Sequence, residues 1–239
     1  MTEVIIRQYA TADETAIAAA DAAIERILEV LKTQDSIHIG ITGGTVGIKT
    51  LAVWNAHAKR DQIDYSRVHF WWGDERYVAA DSVDRNFKQA WDALLAHIEV
   101  PRENLHEFPS TDSGLSLDEA AEFFASHFAA LQPDIDFAFM GMGPDGHIAS
   151  LFPGKELPAE GIDVIAEHDS PKPPPQRLSL TYEAIDRIRE VWFTVAGADK
   201  ADAVEIAFSD APERLPVGRV NAREKNVWFI DAAAAAQID

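Results

Sequence analysis

The chain has 239 residues, 47% apolar and 26% charged, with no cysteine and a formal charge of −19. That size and composition suit one sizeable core and exclude a disordered chain. The missing cysteines exclude disulfides, thiol catalysis and cysteine-ligated metals, and so acidic a surface argues against nucleic acid or anionic lipid as partner.

The first ten residues, MTEVIIRQYA, lack the basic and apolar regions of a signal peptide. No segment reaches the roughly 18 apolar residues of a membrane helix. Thr11-Ala-Asp-Glu14 reads as a capping box, opening a helix with Ile17, Ala20, Ile24, Ile27, Leu28 and Leu31 on one face. Ser36 to Ile41 reads as a strand that enters Thr42-Gly-Gly-Thr45, and a helix over Val46 to Ala58 follows. Val68 to Trp72 is a strand ahead of the polar loop Gly73-Asp-Glu-Arg76. Asn86 to His97 and Leu117 to Leu131 read as helices, and Ile135 to Phe139 as a strand. Arg177 to Thr181, Val191 to Val195 and Asn226 to Ile230 are later strands, with a helix from Gly197 through Phe208.

Strands alternating with helices predict an α/β fold: a mostly parallel twisted sheet, doubly wound and Rossmann-like, with helices on both faces. Pro171-Lys-Pro-Pro-Pro175 is too short for a linker and reads as a stiff loop. The alanines at 232–236 read as a helical or frayed tail. With no internal repeat, residues 1–239 read as one domain.

In an open α/β sheet, ligands bind beyond the carboxyl ends of the strands. Four unusual loops fall at such ends. Thr42, Gly43, Gly44 and Thr45 put two glycines and two hydroxyls before a helix, where free N–H groups attract an anion. Alone, this stretch reads slightly better as a tight turn that needs positive φ, and it is neither a P-loop nor GxGxxG. After the next strand, Arg76 can fork onto a phosphate, with Asp74 and Glu75 holding it or binding hydroxyls. An isolated Asp-Glu-Arg is otherwise a surface salt-bridge cluster.

Gly141-Met-Gly-Pro-Asp-Gly-His147 is the sharpest feature. Its glycines and proline fix a backbone path that ends on His147, the side-chain type that titrates near neutrality and can pass a proton between water and a leaving oxygen. Asp145 either orients His147 or only makes the turn. The apolar run from Ile148 to Phe152 argues against a simple surface turn. Arg177 begins a strand, and Lys200 sits in the first turn of a helix, against the dipole. A bound phosphate resolves that misfit. An acidic protein repels a phosphorylated metabolite until salt screens the field beyond about 8 Å, so such basic residues have to gather locally.

The other histidines have no such setting. His38 and His69 lie inside strands and read as core or second-layer residues. His57, His97, His106, His127 and His168 read as surface or helix-end residues, and no pair has the spacing of HExxH, so no metal is expected. No GxSxG elbow is present.

These loops, in this order, resemble the 6-phosphogluconolactonase family, part of a larger group that includes glucosamine-6-phosphate deaminases. The resemblance covers nearly the whole chain. It rests on Trp72-Gly-Asp-Glu-Arg76, the segment from Gly141 to Gly154, Arg177-Leu-Ser-Leu180 and Gly197-Ala-Asp-Lys200. The deaminases carry Asn-Glu-Pro where this chain has Leu151-Phe-Pro153, and they lack an Arg at position 76. One departure is Thr42 as the first residue of the glycine loop, with Val46-Gly47 after Thr45.

The resemblance implies hydrolysis of a phosphorylated sugar lactone, 6-phospho-D-glucono-1,5-lactone, in the pentose phosphate pathway, without metal or organic cofactor. It implies His147 as the group that activates water, and Arg76, Arg177 and Lys200 as phosphate or substrate ligands. It places Thr42 to Thr45 near the sugar phosphate and Asn86 in the segment after the Arg loop. A cytoplasmic monomer or weak homo-oligomer is expected. The alternatives are an amino-sugar-phosphate deaminase or isomerase and a non-catalytic sugar-phosphate-binding module.

Overall fold

The computed structural model describes residues 2–156 and 158–238. The chain runs β1 (Glu3–Tyr9), α1 (Ala12–Val30), β2 (Ile37–Ile41), α2 (Gly44–Ala56), β3 (Val68–Trp72), β4 (Asp74–Arg76), α3 (Asn86–Ala93), β5 (Leu105–His106), α4 (Leu117–Leu131), β6 (Ile135–Met140), β7 (Val164–Glu167), β8 (Arg177–Leu180), α5 (Tyr182–Asp186), β9 (Glu190–Val195), α6 (Ala201–Ala207) and β10 (Lys225–Asp231).

Seven strands form the main sheet in the order β1-β10-β9-β6-β2-β3-β5, and every pairing in it is parallel. From β2 the chain first builds outward through β3 and β5. It then returns to lay β6 on the other side of β2 and builds away through β9 and β10. The order therefore reverses between β2 and β6, and the loops after these two strands, Thr42–Thr45 and Gly141–His147, flank that reversal. This is where a doubly wound sheet opens a crevice for a ligand.

Consecutive tryptophans on β3 show both faces covered, because successive side chains of a strand point to opposite sides. Trp71 meets Phe124 and Phe128 of α4 edge-on, at 6.3 and 5.4 Å between centroids. Trp72 meets Phe87 of α3 at 5.3 Å. The helix on the Trp71 side has the predicted bounds, since Ser116 and Glu119 close a full capping box at its start.

Several expectations need correction. Asp74–Arg76 is a strand, not a polar loop: it pairs antiparallel with β8, which pairs antiparallel with β7, forming a separate three-stranded sheet. Arg177–Leu180 therefore lies outside the main sheet. The N-terminal segment, whose apolar residues show no helical period, is an edge strand, β1, parallel to β10. In α1 the buried face is Ala16, Ala19, Ala20, Ala23, Ile24, Ile27 and Val30, whereas Ile17 is 46% exposed. Thr11 caps the Glu14 N–H, but the Glu14 carboxylate reaches Ala10 N, so the box is displaced by one residue. The helix after the glycine loop begins at Gly44, not Val46, and the one from Asn86 stops at Ala93 before a 3₁₀ turn over Leu95–His97. The alanines near the C-terminus form turns, with Ala234 and Ala235 buried. His106, read as a surface or helix-end residue, is 6% exposed on β5. No helix among the described residues is long and apolar enough to cross a membrane.

Candidate active site

A cleft of about 580 Å³ opens at the β2/β6 reversal. That volume suits a small phosphorylated metabolite. The glycine loop, Asp74, Arg76, Asn86, His147, Arg177 and Lys200 all line it. Six separate stretches of chain thus converge, four of them the loops expected at strand ends.

His147 stands on a turn closed by two backbone bonds, Gly143 N to His147 O at 2.9 Å and Gly146 N to Gly143 O at 3.0 Å. A Cβ on Gly143 would overlap the His147 imidazole and crowd the Asp145 carboxylate, so only glycine lets the ring fold back over the loop. The chain then runs directly into the core, with Ile148, Leu151 and Phe152 all buried. The Phe152 ring packs on the imidazole at 4.8 Å.

Asp145 does not line the cleft but touches His147 from behind, Oδ1 to Nδ1 at 2.5 Å. A carboxylate only accepts, so Nδ1 carries the proton and Nε2 keeps the basic lone pair. Lys172 approaches the same nitrogen at 3.1 Å and the Asp145 carboxylate at 3.4 Å. Burial pushes His147 below the ordinary imidazole range. Asp145 pulls it back up, and the Lys172 charge pushes it down again. Burial raises the Asp145 carboxyl, but the His147 bond and the Lys172 charge outweigh it, and the net position is below the ordinary carboxylate range.

Arg76 is held by its neighbours. Its guanidinium donates to Asn86 Oδ1, and Asn86 Nδ2 donates to Asp74 O at 2.8 Å and Oδ1 at 3.1 Å. Gly43 sits so close to Asn86 Oδ1 that a side chain there would collide with it. Asp74 Oδ2 accepts from Ser150 Oγ at 2.7 Å, tying β4 to the segment after His147. Glu75 points away from any hydroxyl-binding role. Its carboxylate accepts from the N–H groups of Arg76, Asn86 and Phe87 at 2.7–2.9 Å, capping α3, with Arg85 Nε 3.8 Å away. Burial pushes Glu75 up to about 7, against the pull of Arg85 and those three donors.

Arg177 also differs from expectation. It lines the cleft, but Nε donates to Pro174 O at 2.7 Å and an Nη donates to Lys172 O and Pro173 O at 3.1 Å. Most of its donors therefore fix the proline-rich loop. The residue that loop delivers is Lys172, which sequence reasoning missed. Its signal was present: an isolated cation in a stiff, uncharged stretch. Lys200 lies in a 3₁₀ turn just before α6, with Asp199 at 3.2 Å. The α2 start has neither a side-chain cap nor an acidic residue in its first turn, so its N–H groups are free for an anion.

A sheet reversal, a glycine-led helix start and a histidine loop facing several cations suit an acid–base enzyme that acts on a small anionic substrate. The sequence model described as glucosamine-6-phosphate isomerases/6-phosphogluconolactonase matches residues 10–229, and the chain belongs to that family. The 6-phosphogluconolactonase of Mycobacterium tuberculosis is 43% identical over 210 residues, 84% of each chain. That of Streptomyces coelicolor is 39% identical over 233 residues, covering 92% of this chain and 89% of the relative. The solved 6-phosphogluconolactonase of Trypanosoma brucei superposes with a TM-score of 0.88 at 25% identity, covering the whole of both chains.

Proposed function

We propose that this chain hydrolyses 6-phospho-D-glucono-1,5-lactone to 6-phospho-D-gluconate, with His147 as general base. The observation that carries the reading is the Asp145–His147 contact at 2.5 Å, which sets His147 in a cleft shared with Arg76, Lys172 and Lys200. Arg76, Lys200 and the free N–H groups of α2 hold the phosphate. That anchor sets the lactone carbonyl beside His147. Nε2 takes a proton from water as the water oxygen attacks C1. The imidazolium is stabilised by Asp145 and then returns the proton to the ring oxygen as the C1–O5 bond breaks. Lys172 disfavours a charged resting imidazole, so the base is free at neutral pH.

The lactone is intrinsically reactive, and the acceleration asked of the protein is modest. General base catalysis contributes about 10²–10⁴-fold, and positioning supplies more. These steps use no metal and no organic cofactor, and the enzyme works in the cytoplasm as a monomer or weak homo-oligomer. Phe152, packed on the His147 ring, fills with an apolar group the place where the deaminase pattern has a Glu.

The test is a coupled assay on freshly prepared lactone, with His147→Ala alongside. The wild-type chain should exceed spontaneous hydrolysis, and the variant should lose about 10²–10⁴-fold in kcat. A wild-type rate equal to the spontaneous one would refute the lactonase reading. A fully active His147→Ala would refute only the assignment of the base.

A further inference from the structure

Three adjacent parallel strands each bring a histidine to one face of the main sheet. His38 on β2 is in register with His69 on β3. Trp71 follows His69 on the same side and is in register with His106 on β5. α4 adds His127 from above. The imidazoles form a connected set. His69 Nδ1 lies 3.1 Å from His106 Nε2, and His106 Nδ1 lies 3.0 Å from His127 Nε2. His38 stacks on His69 with centroids 4.3 Å apart. One nitrogen from each of His38, His69 and His106 lies within 4.8 Å of the others.

We infer that this cluster is a second site of the protein, which takes a divalent transition-metal cation such as zinc or cobalt on His69, His106 and His38. A tetrahedral zinc with Zn–N bonds of about 2.0–2.1 Å sets its ligand nitrogens about 3.3–3.4 Å apart. The His69–His106 edge needs to open by only a few tenths of an ångström. His38 has to turn inward, and its ring is only partly buried. The cation takes the place of the proton shared by His69 Nδ1 and His106 Nε2. That proton moves to the far nitrogen of its own ring, so both ligands stay neutral and none is released. His106 Nδ1–H then donates to His127 Nε2, which fixes the His106 tautomer as an outer partner of a metal ligand does.

One contact opposes binding and makes the site testable. The Trp71 indole N–H donates to His38 Nδ1 at 3.0 Å. A cation on Nδ1 replaces this bond, and a cation on Nε2 drives the ring proton onto Nδ1, so either route gives it up. None of the four rings lines the cleft. Four residues of strand, about 13 Å at 3.3 Å each, separate His38 from Thr42. The inference is therefore independent of the lactonase reading. It also revises the expectation of no metal, which rested on sequence spacing: these ligands come from separate strands.

The experiment is a titration of untagged, chelator-stripped protein with Co²⁺, followed by visible absorption, then competition with Zn²⁺. One Co²⁺ should bind per chain, giving the intense bands of a tetrahedral ion, and Zn²⁺ should bleach them. His69→Gln and His106→Gln should each weaken binding at least about tenfold, and His127→Ala by about 10–100-fold. Trp71→Phe should tighten it, and His147→Gln should leave it unchanged. No uptake by the wild-type chain overturns the inference. So does uptake that survives His69→Gln and His106→Gln, or that vanishes in His147→Gln. Circular dichroism checks each fold. Should the buried His106→Gln fail to fold, His69→Gln and His127→Ala carry the test from partly exposed positions.

Discussion

Asp145 and His147 are two residues apart on one turn, and the carboxylate holds Nδ1 of the imidazole at 2.5 Å. The pair is built within a single loop, so its geometry depends on local backbone and not on the docking of distant elements. Burial lowers His147, Asp145 raises it and Lys172 lowers it. A general base works in its neutral form, which dominates above its pKa. With a net downward shift from 6.5, kcat/KM should rise with pH along a limb below 6.5 and be flat at neutrality. Asp145→Asn removes a raising influence, so the limb should move to lower pH. Lys172→Met removes a lowering one, so the limb should move to higher pH. pH–rate profiles of the three proteins decide this, and shifts in the same direction for both variants would contradict the arrangement.

Gly143→Ala should separate fold from function. The added methyl would overlap the His147 ring and the Asp145 carboxylate. Overpacking of this kind costs about 1–3 kcal/mol, which a domain of this size can absorb. The circular dichroism spectrum should be unchanged while kcat falls by at least about tenfold. A variant with wild-type kcat would show that the ring does not need its present position.

The histidine loop was legible because its parts are adjacent in the sequence: three glycines, a proline, Asp145 and His147 within seven residues. α4 was legible for the same reason, with Ser116 and Glu119 three residues apart marking its start. β4 was not. Three polar residues show no alternation, and Asp74–Arg76 is a strand only because β8 comes back to pair with it. Lys172 was hidden likewise, since a loop that returns from 25 residues downstream sets it beside His147. The histidine cluster needed the β2-β3-β5 order, which no local pattern encodes.

Glu75 should be the structural linchpin of the Arg76 segment. Its carboxylate accepts three backbone N–H groups and sits near Arg85 in the core. Glu75→Gln turns one oxygen into a donor that faces other donors, while Arg85 keeps Glu107 at 3.2 Å and Phe108 O at 2.8 Å. The expected loss is about 2 kcal/mol, the cost of a buried donor left facing donors, read from urea unfolding. Since α3 also positions Asn86 and thereby Arg76, KM should rise too. A loss below about 1 kcal/mol would show that the neutral side chain satisfies the same donors.

Arg76 and Lys200 differ in how they are held, and their variants should differ accordingly. Arg76 is braced by Asn86, which is itself braced by Asp74. Lys200 is held on a flexible stem, with Asp199 at 3.2 Å as its one ion-pair partner among the described residues. A charge-assisted bond to phosphate contributes about 1.5–3 kcal/mol, and each 1.4 kcal/mol is tenfold in affinity. Arg76→Ala and Lys200→Ala should therefore raise KM for the phosphorylated lactone by about 10–100-fold. The unphosphorylated lactone should be affected far less. Lys should substitute poorly for Arg76, because an ammonium cannot hold Asn86 and the phosphate in one planar fork, whereas Arg should partly replace Lys200. Steady-state kinetics on both lactones measure each effect. Equal losses on the two substrates would remove the phosphate role from these residues and return Arg76 to a structural cluster with Asp74 and Asn86.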